Sequence, residues 1–305
     1  MKYLIVGYGN QGKKRAKIIN KKDYIFYDPF IKSSKYKNLN DLPINKFNNV
    51  LLCCSDEKKI NLIKFFLKKK KNILVEKPVI FKNKKEIKEI KKLLKKNKVI
   101  LYTAYNHRFE PGLIQIKKKL KKLSFGINYI LKLFYGNGTS ILVKNSQWKD
   151  KQKGILFDLG SHLLDIVIFL FEEKPKNVKL ISKKKFENRF EDHLIFSFKL
   201  KKISVFCEIT YCMWKNSFYL DLISKKGSIH MESLCKWSDT KIQYLKRKFP
   251  SGYPSISSFK FKKGDPTWKA EHKFFENLIK NKMFDFSVKN LEKDALIFNL
   301  LNNAK

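Results

Sequence analysis

Tyr3-Leu4-Ile5-Val6-Gly7-Tyr8-Gly9-Asn10-Gln11-Gly12 is the stretch that decides the fold. Four apolar residues read as a short buried strand, and three glycines spaced GxGxxG lead into an amphipathic run from Gln11 to Asn20. Such a glycine string is weak alone but becomes a dinucleotide fingerprint when it follows a strand and opens a helix. Gly7 then permits the tight turn, Gly9 lets a pyrophosphate approach the backbone, and Gly12 allows the helix to pack closely on the strand. Asn10 and Gln11, at the helix start, are candidate cofactor contacts beside amides that favour phosphate. Asp28 ends the next strand, Tyr24 to Tyr27, about twenty positions beyond the first glycine, where an acid accepts hydrogen bonds from the adenine ribose.

Outward from this stretch, the first hundred residues alternate apolar runs with amphipathic ones, the pattern of βαβ units. Strands are expected at Asn49 to Cys53, Asn72 to Val75 and Val99 to Tyr102, with helices at Lys58 to Lys70 and Lys84 to Lys96. The interval from Pro29 to Phe47 is polar and irregular, so one crossover is short or loop-like. The expected fold class is α/β: an N-terminal Rossmann, doubly wound parallel sheet over residues 1–105, then an α+β domain with an open, mostly antiparallel sheet over 106–305. In the second part, helices are read at Pro111 to Leu123 and Asp158 to Phe171, and a strand at Ile127 to Tyr135. Consecutive strands follow between Val178 and Glu232, then closing helices at Trp268 to Ile279 and Leu291 to Leu301. A length of 305 residues suits two such domains, and no repeat or low-complexity linker separates them.

A net charge of +40 invites a nucleic-acid reading. Among 67 basic residues, however, only Arg15, Arg108, Arg189 and Arg247 are Arg, the residue that base and phosphate recognition favours. The Lys runs, such as 68–71, 117–119 and 183–185, are dispersed and read as solvated faces, so no nucleic-acid partner is expected. The apolar stretch Gly154 to Phe171 is interrupted by Asp158, His162 and Asp165, which argues against a membrane span. Met1-Lys2 runs directly into a strand with no secretory h-region, giving the expectation of a cytoplasmic protein with five reduced cysteines.

Glu76-Lys77-Pro78 follows a strand at the carboxyl edge of the sheet, where open α/β domains bind ligands. Taken alone, Lys77 reads as a solvated loop charge. Asp158-Leu159-Gly160-Ser161-His162-Leu163-Leu164-Asp165 sets Asp158 and His162 four apart, on one face if the helix starts there. Taken alone, that pair reads as an N-cap Asp over a core His. Together with Tyr105-Asn106-His107-Arg108-Phe109, and in this order, these motifs resemble the glucose-fructose oxidoreductase and inositol dehydrogenase (Gfo/Idh/MocA) family over nearly the whole chain. The resemblance implies a Rossmann domain followed by an α+β domain whose sheet often mediates homo-oligomers, here a dimer or tetramer. It also implies Lys77, Asp158 and His162 as the catalytic residues of an NAD(P)-dependent oxidoreductase acting on CH-OH groups of a sugar or sugar nucleotide. An imidazole suits the proton step near neutral pH, and Lys77 can stabilise developing alkoxide charge, but which of the two is the immediate acid or base stays open. Asp28 favours NAD over NADP, because it would repel a 2′-phosphate and no Arg follows it in the adjacent loop, although Lys32 does.

The chain departs from the family pattern after the third strand, where Cys54-Ser55-Asp56 and Lys59 stand in place of a Thr-Pro-Asn-like turn and a later His. Ser55, Glu76 and Lys77 are the candidate cofactor contacts along this edge. Asn106, Arg108, Asn137 and Trp148 join Asp158 and His162 as candidate substrate residues. Arg108 also reads as a structural ion pair, and the Phe134 to Thr139 segment as an ordinary hairpin. No spacing of the remaining histidines demands a metal. Two rivals remain: a reductase of a non-sugar small molecule, and a basic anion- or nucleic-acid-binding protein that retains the fold.

Overall fold

The computed structural model describes residues 1–122, 125–146 and 154–305, and contacts divide it into two compact units. The first comprises 1–105 with 268–298, the second 106–267 with 299–305.

In the first unit, β1 (Tyr3–Val6), β2 (Tyr24–Tyr27), β3 (Asn49–Leu52), β4 (Asn72–Glu76) and β5 (Leu101–Ala104) form a parallel sheet in the order β2-β1-β3-β4-β5. The chain crosses to the other side of β1 between β2 and β3, which makes the carboxyl end of β1 the switch point where such sheets bind ligands. Register aligns that edge, because Val6 pairs with both Tyr27 and Leu52, and Leu52 with Val75. All four residues of β1 and of β3 are buried, as near-continuous apolar strands covered on both faces should be.

Three helices accompany these strands. α1 (Asn10–Ala16) is shorter than the amphipathic run suggested, since turns take over at Lys17 and a 3-10 turn covers Lys21–Asp23. α2 (Asp56–Lys68) begins two residues before the first expected position, with Asp56 and Glu57 favourably placed in its first turn. It buries Ile60, Ile63, Phe66 and Leu67. α3 (Lys84–Asn97) is capped by Asn83, whose side chain accepts from the Glu86 amide, and ends on Lys98 in the left-handed region. β5 lies two residues later than the apolar run indicated, because Ile100 instead bonds to Asn72 and passes into the turn.

The closing helices following the second unit's strands, α7 and α8, are Thr267–Lys280 and Phe284–Asn302, and most of each contacts the first unit. Buried polar bonds hold them there. Ser287 Oγ accepts from the Leu101 amide at 2.9 Å, Thr103 donates to Asp294, and Arg15 reaches Glu271 at 2.6 Å. Helical periodicity shows which face of a helix is apolar, not which sheet will cover it, so the sequence assigned residues 268–298 only by order along the chain.

The second unit is built on an eight-stranded sheet in the order β13-β12-β11-β10-β6-β9-β8-β7. Its strands are β6 (Asn128–Gly136), β7 (Lys176–Lys184), β8 (His193–Leu200), β9 (Ile203–Thr210), β10 (Ser217–Ser224), β11 (Gly227–Glu232), β12 (Thr240–Lys246) and β13 (Ser255–Phe261). All neighbours are antiparallel except β6 and β9. The last two strands were not anticipated: β12 alternates buried and exposed residues but is interspersed with Lys and Gln, and β13 buries no residue fully. α4 (Pro111–Lys122), α5 (Ser140–Lys144) and α6 (Ser161–Phe171) complete the unit. Where one helix was expected from Asp158, a π-helical turn covers Leu156–Gly160 and α6 starts only at Ser161. Such single wide turns are rare and cluster at functional sites.

Arg15 and Glu271 give the fold a pH dependence. Burial is the largest influence on Glu271 and, with the nearby charge of Glu76, outweighs the attraction of Arg15, pushing this carboxyl from 4.5 up to about 7. A carboxyl raised on folding contributes stability that is complete below pH 4.5 and is lost as pH rises through about 7. Glu271→Gln should therefore match the parent protein near pH 5 and exceed its stability near pH 8 in chemical denaturation. A variant less stable at both pH values would show that the ionised pair with Arg15 stabilises the fold.

Candidate active site

At the carboxyl edge of the first sheet, the glycine turn is tight on one side and open on the other. Gly7 has φ +85°, and a Cβ there would lie 2.8 Å from the Cys53 carbonyl oxygen. A Cβ on Gly12 would lie 2.1 Å from the Gly7 oxygen, so α1 starts directly against the turn. At Gly9, by contrast, no atom lies within 4 Å of the Cβ position, which leaves room for a group such as a pyrophosphate. Asn10 and Gln11 are exposed in the first turn of α1.

Asp28 closes this turn from β2: Oδ2 accepts from the Tyr8 amide at 2.8 Å and Oδ1 from the Phe30 amide at 3.1 Å. A carboxylate has lone pairs beyond these two bonds, so it can still accept from ribose hydroxyls. Ser55 precedes α2, and its hydroxyl makes no capping bond.

Glu76, a candidate cofactor contact, ends β4 and is held by Arg15. Arg15, 1% exposed, donates to Glu76 Oε1 through Nε at 2.8 Å and also reaches Glu271, while its guanidinium lies 4.4 Å from the Trp268 ring centre. Glu76 thus anchors the strand end from which Lys77 follows. The Lys77 and Pro78 carbonyls are in turn held by Lys59, whose Nζ donates to them at 3.3 and 3.0 Å and pairs with Asp56 at 2.5 Å. Lys59 is buried on the inner face of α2, at the position where the family pattern has a His. A charge on that face was the sequence signal for this brace, and only its partners were missing.

In the second unit, the motif residues join a cluster of rings. His162 lies in the first turn of α6 and stacks on His107, with ring centres 4.0 Å apart and planes at 24°. Tyr135 from β6 lies 6.0 Å from His162 and 5.4 Å from His107. Asp158, on the π turn, accepts from the Tyr211 hydroxyl at 2.9 Å. Burial above all, then the charge of Asp158, pushes both the Tyr211 and Tyr135 phenols well above their usual value, so both are held as neutral O–H donors. Lys236 Nζ lies 2.6 Å from His107 Nε2, which as partner of an ammonium acts as the acceptor. Of these, His107 and Tyr135 belong to segments already singled out, without a role of their own, whereas Tyr211 and Lys236 lie outside every motif and are brought here by tertiary packing.

The remaining candidates are engaged locally. Arg108 makes two bonds of 2.6 Å to Asp165, the ion-pair alternative. Asn106 donates to Thr267 Oγ1 at 2.9 Å. Asn137 Oδ1 accepts from the Thr139 amide and hydroxyl in a turn after β6. Trp148 lies outside the described residues. No helix among the described residues is long and apolar enough to cross a membrane, and no cluster of three metal-ligating side chains occurs among them.

Two family models match the chain and together span more than half of it. Residues 27–105 match the NAD-binding Rossmann fold of the oxidoreductase family, and residues 115–230 match the GFO/IDH/MocA C-terminal domain. The chain belongs to the GFO/IDH/MocA family of oxidoreductases. The first match begins beyond the glycine turn, so that turn is an observation independent of it.

Solved structures share the fold of this oxidoreductase over nearly its full length. A protein from Desulfitobacterium hafniense, provisionally designated an NADPH-dependent oxidoreductase, superposes with TM-score 0.82 at 15% identity, covering 99% of this chain and 95% of its own. Levoglucosan dehydrogenase in complex with NADH and levoglucosan gives 0.73 at 14% identity, with coverage of 99% and 97%. UDP-N-acetylglucosamine 3-dehydrogenase from Acidithiobacillus ferrooxidans gives 0.74 at 13%, with coverage of 99% of both chains. No curated protein matches the sequence.

The two glycines separate binding from folding. Gly9→Val should leave the melting temperature unchanged and weaken NADH binding by about tenfold or more, because the new side chain fills only the open side of the turn. Gly12→Ala should cost about 1–3 kcal/mol of stability through overpacking. Unchanged NADH affinity in folded Gly9→Val, read by fluorescence titration, would remove this turn from the cofactor site.

Proposed function

We propose that this NAD-binding oxidoreductase transfers hydride reversibly between NAD(H) and a hydroxyl-bearing or keto carbon of a sugar or sugar nucleotide. Lys77, Asp158 and His162 form the catalytic set, with residues 1–105 holding the cofactor and the domain starting at 106 the substrate. The observation that carries this reading is the cluster of His162, His107, Tyr135, Asp158 and Tyr211, a concentration of donors and acceptors on ring side chains that suits a polyol. Two structural neighbours are named as dehydrogenases of levoglucosan and of a nucleotide sugar, which supports the carbohydrate assignment.

The turn at Gly7 to Gly12 fits the pyrophosphate of a dinucleotide, and the nicotinamide supplies the hydride acceptor when bound. In the oxidising direction the substrate loses hydride from carbon and a proton from oxygen. His162 or Lys77 takes that proton, and the cation of Lys77 stabilises charge developing on the oxygen. Asp158, anchored by Tyr211, orients its partners. Arg15 and Lys59 act through the backbone around Lys77 and are positioning residues. Phe206 and Tyr219, exposed on the sheet beside Phe134, support a homo-oligomer, a dimer or tetramer.

Asp28 favours NAD, since a 2′-phosphate would meet its carboxylate. NADH should bind about tenfold or more tightly than NADPH in parallel titrations, and Asp28→Ser should narrow that gap. Tighter NADPH binding would reverse the role given to Asp28.

Lys77→Ala and His162→Ala should each lower kcat by about 10²- to 10⁴-fold, with cofactor affinity little changed. His162→Ala should also flatten the pH-rate profile near neutrality, and the double variant should lose less than the product of the single losses. Near-normal turnover in Lys77→Ala with an unchanged melt would return Lys77 to the solvated loop.

A further inference from the structure

An open cavity of about 270 Å³ in the second unit is lined by Lys215, Asn216, Lys236, Trp237, Ser238 and Lys263. Three separate connections build it: the segment between β9 and β10, the segment between β11 and β12, and the residues after β13. Its wall carries three ammonium groups and no carboxylate. Asp239 and Asp265 are held by other groups, whereas Glu110 interacts with Lys236 itself. Asp239 accepts from the Lys263 amide at 2.7 Å and pairs with Lys260 at 2.9 Å, and Asp265 accepts from the Thr267 amide and hydroxyl. Glu110, fully buried, accepts from the Cys235 amide at 3.0 Å, and burial above all pushes its carboxyl up to about 7.

Lysine is so abundant in this chain that three in one wall decide nothing by themselves. The connection to the ring cluster does. Lys236 reaches His107 Nε2 at 2.6 Å, and His107 stacks on His162. Trp237 packs on Tyr135 with ring centres 5.4 Å apart. The cavity is therefore linked to His162 through Lys236 and the buried His107, and a ligand reaching from His162 past Lys236 would enter a concave site of positive charge.

We propose that this cavity seats an anionic group, a carboxylate or a phosphate, of the substrate whose carbon reacts beside His162. The inference rests on the dehydrogenase reading and narrows it to acidic sugars, sugar phosphates or nucleotide sugars over neutral ones. Lys215 and Lys263 pair with the anion, Asn216 and Ser238 hydrogen-bond its remaining oxygens, and Lys236 joins the anion site to His107. The volume is at the low end of small-molecule sites, about 300–1,000 Å³, and suits one charged group with the ring that bears it.

The test is calorimetric titration of the full chain, loaded with NADH at near-physiological salt, with D-glucose, D-glucuronate, D-glucose 6-phosphate, UDP-glucose and L-tartrate. At least one anionic probe should bind about tenfold or more tightly than glucose. The double variant Lys215→Gln/Lys263→Gln should lose that advantage while keeping NADH affinity and melting temperature, and Lys215→Arg/Lys263→Arg should retain it. The two single Gln variants serve if the double variant melts early. Preference for glucuronate, glucose 6-phosphate or UDP-glucose identifies the source of the anion. Glucose binding as tightly as every anionic probe, anion binding unaffected by the Gln variants, or no binding of any probe to the NADH-loaded chain would each overturn the inference. Turnover of glucose without lysine dependence would leave the carbohydrate reading standing without the anion site. Lysine-dependent binding of tartrate alone would keep the anion site and end the carbohydrate reading.

Discussion

Arg15 holds two carboxylates in a place that water does not reach. One guanidinium nitrogen lies 2.7 Å from Glu76 and 2.6 Å from Glu271, with Trp268 stacked on the group. Three separate stretches of chain, α1, the end of β4 and α7, are joined through this one side chain. Removing it would leave the buried Glu271 and the partly buried Glu76 facing one another without a counter-charge. The glycine turn adjoins the same region, since α1 runs from the turn to Arg15. Lys77 depends on it as well, being the next residue after the anchored Glu76. Lys59 completes the frame from α2 by holding the carbonyls on both sides of the Lys77–Pro78 bond. Charged groups here order the backbone that carries Lys77, the proposed catalytic cation.

The second unit solves a related problem with rings. The proposed proton-transfer role of His162 calls for a defined orientation and surroundings that do not absorb its proton. Stacking on His107 orients His162, and the phenols of Tyr135 and Tyr211 bring donors that stay protonated at neutral pH. The π turn at Leu156–Gly160 gives Asp158 a position that a continuous α-helix would not, and Tyr211 holds it there. Lys236 links this cluster to the lysine-lined cavity.

Much of this was legible in the sequence because the relevant signals are local. The glycine spacing, the apolar alternation of β1 to β5 and the acid after β2 each depend on a few neighbouring residues, and their structural context follows from order along the chain. The parts that were not legible depend on tertiary pairing. The pairing of Glu76 with Arg15, 61 positions earlier, has no local signal. The start of α6 was placed at Asp158 because periodicity cannot distinguish a wide turn from an α-helical one. β12 and β13 escaped notice because their exposed faces carry Lys, Gln and Ser, which dilute the strand signal. His107 was legible as part of the motif at 105–109, but its stacking on His162 depends on tertiary packing.

The central claim is that the glycine turn, Asp28 and the Lys77 edge together form the nicotinamide dinucleotide site. A crystal structure of the chain grown with NADH tests it most directly. The pyrophosphate is expected over Gly9, in the space where no protein atom approaches, with the adenine ribose hydroxyls on Asp28 and the nicotinamide beside Lys77. Density for the dinucleotide elsewhere, or a nicotinamide remote from Lys77 with the glycine turn empty at saturating NADH, would contradict the account.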